Sequence, residues 1–154
     1  KNKNWYFYGW LFCLLMATAH VSFFQNLFAG VTDESGAGYL TKDEYNTIKG
    51  FRLDFIIYSS MPVLMGYWVK YKYKMEERIY DMILNMYLVC NGVWMLCMYA
   101  AFTNRIAYLS WFMYPIVLLY PCFTITERYH PLVVNRNKII VAHLTFTLFM
   151  AFIY

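Results

Sequence analysis

Between Asp81 and Glu127 the chain runs for 45 residues with a single charge, Arg105. The run Thr103-Asn104-Arg105 divides this stretch into two segments joined by almost no loop. Each segment is long enough to cross a bilayer, whose hydrocarbon core takes about 20 apolar residues. An ionisable group set in such a chain is costly and is a functional hypothesis by default. Arg105 therefore falls at a membrane face, at the start of a helix, with little else polar around it.

The rest of the chain reads the same way. Of its 154 residues, 61% are hydrophobic, 22% aromatic and only 14% charged, against roughly 25% charged in a soluble domain. The charges gather between apolar runs instead of forming amphipathic faces, as expected of an integral membrane protein. The net charge of +4 does not point to nucleic acid, because the basic residues lie in short connections, where they orient membrane helices. Cys13, Cys90, Cys97 and Cys122 all fall inside apolar segments, with no CxxC pattern, and read as small buried hydrophobes. The first apolar segment is too long for a signal peptide and lacks a small-residue cleavage site. A chain that starts at Lys1 and ends in Phe152-Ile153-Tyr154 reads as the C-terminal piece of a longer polytopic protein.

The expected fold is all-α, a single transmembrane domain over residues 1–154. Its spans are expected at about 5–28, 51–69, 79–102, 106–125 and 139–154. Sustained period-2 alternation is missing, which disfavours a barrel. With the N-terminus cytoplasmic, the inner side carries nine basic residues (Lys1, Lys3, Lys70, Lys72, Lys74, Arg78, Arg128, Arg136, Lys138). The outer side carries four, Lys42, Lys49, Arg52 and Arg105, and this bias sets the orientation. The long outer connection, Ala29–Gly50, contains Thr41-Lys42-Asp43-Glu44, a capping box that predicts a short helix over 42–49.

In this topology the second and fourth spans both begin at the outer face, presenting unpaired N–H groups and positive dipole ends there. Arg52 and Arg105 sit in or beside those first turns, where the dipole opposes a cation. Two such placements on one face indicate an anion, and helix N-termini with bidentate guanidinium groups suit phosphate. The plainer alternative is that both arginines snorkel to the interface or pair with acids. Asp54 lies about 200° around the helix from Arg52, so it is better placed for Arg105 or a substrate hydroxyl, or for a structural salt bridge.

His20 and His143 are candidates for proton transfer or for bonds between helices. Asn85 and Asn91 read as links between helices, and Pro62, Pro115 and Pro121 as kinks that open backbone near a cavity. Trp94, Trp111 and the tyrosines are candidates for stacking on sugar rings, although at 22% aromatic most such rings must face lipid or the core. No phosphate loop, metal motif or nucleophile elbow is present, and no cofactor is expected.

Three segments carry a resemblance. Phe51-Arg-Leu-Asp-Phe-Ile-Ile-Tyr-Ser-Ser-Met-Pro62, Tyr87-Leu-Val-Cys-Asn-Gly-Val-Trp94 and Asn104-Arg-Ile-Ala-Tyr-Leu-Ser-Trp-Phe-Met-Tyr-Pro115 resemble the EpsG-type, Wzy-like bacterial polysaccharide polymerases, over roughly Phe51–Pro121. The resemblance implies a multi-span glycosyltransferase at the outer face of the inner membrane. It would join oligosaccharide repeat units carried on undecaprenyl pyrophosphate into capsule, O-antigen or exopolysaccharide. Carried over by residue, Arg105 would contact the diphosphate with Arg52 and Asn104 beside it. The base on the acceptor would be Asp54, or Asp33, Glu34, Asp43 or Glu44 of the outer loop. Implied partners are the lipid-linked oligosaccharide, membrane lipids and a chain-length regulator. Members have about twice the spans seen here. A transporter or flippase component using His20, Asp54 and His143, or a non-catalytic scaffold, remains the alternative.

Overall fold

The computed structural model describes residues 4–19, 53–99, 103–125 and 130–153; Thr103, Asn104, Arg105, Met150, Ala151 and Ile153 are described by their backbone alone. Among the described residues every regular element is helical. In chain order these are α1 (Trp5–Thr18), α2 (Leu53–Lys72), α3 (Arg78–Leu96), α4 (Thr103–Trp111), α5 (Tyr114–Thr124), the short α6 (Pro131–Val134) and α7 (Arg136–Ile153). Each of the five expected spans contains helix, and the predicted helix at 42–49 lies outside the described residues.

α3 is the centre of the bundle and packs against α1, α2, α4 and α5. Two glycines let neighbours approach it. A Cβ added at Gly66 of α2 would lie 2.9 Å from Leu84 Cδ1 and 3.0 Å from the Tyr80 hydroxyl, and one at Gly92 of α3 would lie 3.2 Å from Cys13 Sγ of α1. Small residues at such contacts are how apolar helices gain van der Waals contact without a hydrophobic driving force. Leu84, Tyr87, Leu88 and Met95 of α3 form the core with Trp10, Val63 and Val117.

Polar bonds between α3, the residues just after it and its neighbours set their register. Trp10 Nε1 donates to Asn91 Oδ1 at 2.8 Å, and the Tyr99 hydroxyl donates to the Ala17 carbonyl at 2.9 Å, so α1 and α3 run parallel. The Tyr87 hydroxyl donates to the Ser59 carbonyl at 2.6 Å, while Gly66 faces Tyr80, so α2 runs antiparallel to α3. One end of the bundle therefore collects the end of α1, the start of α2, the end of α3 and the start of α4. The opposite end collects the start of α1, the end of α2, the start of α3 and the end of α5.

The prolines act where a missing N–H leaves a carbonyl to be served. Pro121 cannot donate to Val117 four residues earlier. Tyr80 of α3 takes over this function, its hydroxyl donating to the Val117 carbonyl at 3.2 Å inside the core. Pro62 similarly frees the carbonyl of Tyr58, next to the one Tyr87 reaches. Pro115 interrupts the expected fourth span: α4 ends at Trp111, Met113 N–H closes a tight turn on Ser110 at 3.0 Å, and α5 restarts at Tyr114. The span is thus two helices joined at Phe112-Met113.

The other faces of these helices are apolar too. Met82, Met86 and Val89 of α3, Ile57, Met61 and Leu64 of α2, and Val141, Leu144 and Leu148 of α7 are all exposed. None of the described side chains of α7 is buried. A helix apolar on every side belongs in a larger protein core or a membrane. Two stretches are long and apolar enough to cross a membrane, Arg78–Leu96 and Ile106–Thr124, and only 44% and 39% of them is buried within the chain. α2 carries on three residues beyond its expected boundary into Lys70-Tyr71-Lys72, and Lys74 then turns the chain in a left-handed conformation (φ 50°), a stop that more often uses glycine.

Candidate functional site

The residues singled out from the sequence lie where α2 and α4 begin. Asp54 is partly buried in the first turn of α2, an acid where the helix dipole favours one. Asn104 and Arg105 occupy the first turn of α4; their side chains, like the whole of Arg52, lie outside the described residues. The antiparallel packing on α3 puts both first turns at the same end of the bundle.

Aromatic contacts fix how the two starts are offset. Phe55 stacks on Trp111 with ring centroids 5.2 Å apart and planes 9° apart, and Tyr58 meets Trp111 edge-on and stacks on Tyr114 at 4.4 Å. The first turn of α2 thus lies beside the last turn of α4. Arg105 is six residues before Trp111, about 9 Å along a helix axis. The two first turns share an end of the bundle but not a level, with the start of α4 standing farther out.

The cluster of rings beneath that end is closed on itself. His143 of α7 stacks on Tyr114 at 5.0 Å, and Phe146 of α7 stacks on Tyr58 at 5.4 Å. His143 Nδ1 is buried without a hydrogen-bond partner. Trp111 is engaged by Phe55, Tyr58 and Tyr108. Trp94 is 3% exposed in the core and so is not a stacking platform for a sugar, contrary to one sequence expectation. Asn91 bonds Trp10 across the helix interface, whereas Asn85 lines a surface groove of α3.

The opposite end carries most of the described charge, and several of its groups find partners within the chain. Lys70 Nζ lies 2.7 Å from Asp81 Oδ1, and the Tyr120 hydroxyl donates to Glu77 Oε1 at 2.9 Å. Lys72 lies over the Trp68 ring at 5.0 Å and Arg136 over Phe123 at 5.1 Å. The expected roles of His20, Asp33, Glu34, Asp43 and Glu44 concern residues outside the described ones. Among the described residues, no group of three or more His, Cys, Asp or Glu is placed to hold a metal ion.

What the linear sequence did not reveal is the pairing of Tyr80 with the carbonyl freed by Pro121, since the two residues are 41 positions apart. It also did not reveal the groove along α1 and α3. Compared with protein-family models, with curated proteins and with solved structures, the chain matches none.

Proposed function

We propose that this chain is part of a membrane-embedded glycosyltransferase that polymerises undecaprenyl-pyrophosphate-linked oligosaccharide repeat units. It sits in a bacterial inner membrane as a bundle of about five spans, with the N-terminus of this segment cytoplasmic. The single observation that carries the reading is the placement of the first turns of α2 and α4, with Asp54 and Arg105, at one end of the bundle. The basic run Lys70–Lys74 lies at the other end, as the positive-inside rule requires of an inner face. The resemblance of the Phe51–Pro62 and Asn104–Pro115 segments to EpsG-type polymerases supplies the anion.

In the reaction the acceptor sugar hydroxyl attacks the anomeric carbon of the lipid-linked chain. A glycosidic C–O bond forms, the C–O bond to the diphosphate breaks, and its electron pair leaves on the diphosphate. That developing charge is what needs stabilising, and preorganised donors aimed at it lower the barrier most. Arg105, with the N–H groups of the α4 first turn and with Asn104, supplies these donors, and Arg52 adds a second guanidinium. The proton of the acceptor hydroxyl passes to a carboxylate, for which Asp54 is the candidate.

Polymerisation of repeat units by the full-length protein carrying Arg105→Ala tests this reading. Loss of polymer with normal membrane insertion is the expected result. Polymer of normal length made at the normal rate would remove Arg105 from the reaction.

A further inference from the structure

A groove runs along the outward side of the α1–α3 pair. Its wider part, about 890 Å³, lies against the start of α3, and a narrower part of about 480 Å³ continues it, with Tyr6 and Val89 lining both. The floor over most of its length is a stripe on α3, namely Met82, Met86, Val89, Val93 and Leu96. On the α1 side Gly9 leaves the wall open: a Cβ built there meets nothing within 4 Å.

The groove is charged only at one end, where Lys70, Glu76, Arg78 and Asp81 line it, with Asn85 one turn further along α3. Lys70 and Asp81 neutralise each other at 2.7 Å, which leaves Glu76 and Arg78, both exposed and of opposite sign. An apolar channel ending in one acid and one base fits an amphiphile whose head carries one charge of each sign. From Met82 to Leu96 the stripe extends about 21 Å, more than the roughly 15 Å depth of one leaflet, half of a hydrocarbon core of about 30 Å.

We infer that this groove holds one phospholipid with a phosphoethanolamine head, its phosphate on Arg78, its ammonium on Glu76 and an acyl chain along the α3 stripe beside Gly9. An ethanolamine ammonium donates N–H bonds to a carboxylate, which a quaternary choline cannot do. An anionic head without an ammonium leaves Glu76 facing like charge. Guanidinium and phosphate make the stronger, charge-assisted contact. The inference rests on the membrane part of the proposed function and is independent of the polymerase chemistry.

The test uses the full chain in nanodiscs of equal parts dioleoyl phosphatidylethanolamine, phosphatidylcholine and phosphatidylglycerol, with the lipids that survive detergent release read by native mass spectrometry. One retained phosphatidylethanolamine per chain is expected. Gly9→Leu puts a side chain into the groove from a position where its Cβ meets no neighbour and is expected to lower retention about tenfold, as is Arg78→Ala, each corresponding to about 1.4 kcal/mol. Glu76→Gln is expected to lose the preference for ethanolamine over glycerol heads. Equal retention of the three lipids, unchanged retention in Gly9→Leu, or a second copy of the chain in place of lipid would overturn the groove assignment while the chain stays membrane-bound. Release of the chain from membranes by alkaline carbonate would overturn the membrane reading, and the groove assignment with it.

Discussion

The two ends of the bundle treat charge differently. Where α2 ends and α3 begins, the charges with partners in the chain follow helix polarity, and Arg78, exposed at the first residue of α3, is the one that opposes it. Lys70 and Lys72 lie in the last turn of α2, Asp81 lies in the first turn of α3 and bonds Lys70, and Glu77 accepts from Tyr120. Where α2 and α4 begin, Asp54 agrees with the backbone field and Arg105 opposes it. A charge that follows the field and has a partner is accounted for by the fold. One that opposes the field in an apolar chain has its explanation in what it binds, and the two ends should answer mutation accordingly.

The largest effect is expected at the α4 start. Arg105→Ala should lower the polymerisation rate by about 10³, the upper range for losing a donor aimed at developing charge. Arg105→Lys should fall between, because it keeps the charge and loses the planar fork. Rates in membranes carrying equal amounts of each protein decide this, and an alanine variant within a few-fold of the parent would erase the contrast between the ends. Next comes Asp54→Asn, expected to cost about 10² in rate if the carboxylate takes the acceptor proton. A variant that loses thermal stability while its rate holds would make Asp54 structural.

At the opposite end the expected effects are on stability and are small. Tyr80→Phe removes the donor to the Val117 carbonyl and should destabilise the detergent-solubilised protein by about 1–2 kcal/mol. Adding Pro121→Ala restores a backbone donor to that carbonyl and should recover most of the loss; a double variant no more stable than Tyr80→Phe would show that the hydroxyl serves something else. Lys70→Ala strands the mostly buried Asp81 carboxylate and should likewise cost about 1–3 kcal/mol, while leaving polymerisation unchanged.

The helical class was legible because apolar runs bounded by charge clusters have few other solutions, and each run contains helix. The break at Phe112-Met113 was legible in part: Pro115 signals a kink, but whether a kinked helix bends or restarts depends on turn bonds such as Met113 to Ser110, which a linear reading does not supply. Asn91 was read as a link between helices, and its bond to Trp10 agrees. Trp94 was left open between a sugar platform and a core ring, because at 22% aromatic content composition does not separate the two, and the structure puts it in the core. The placement of the first turns of α2 and α4 at one end follows from alternating helix direction, which span counting captures. Their difference in level does not, since it arises from the stacking of Phe55 on Trp111.

The bond between Tyr80 and the Val117 carbonyl also constrains the order in which this chain can change. Replacing Pro121 first restores a backbone donor, after which the tyrosine hydroxyl is dispensable. Replacing Tyr80 first strands a buried carbonyl that no neighbour in its own helix can serve. The two positions are therefore a ratchet: descent runs easily in one direction, and a lineage that keeps the proline is held to the tyrosine 41 residues before it.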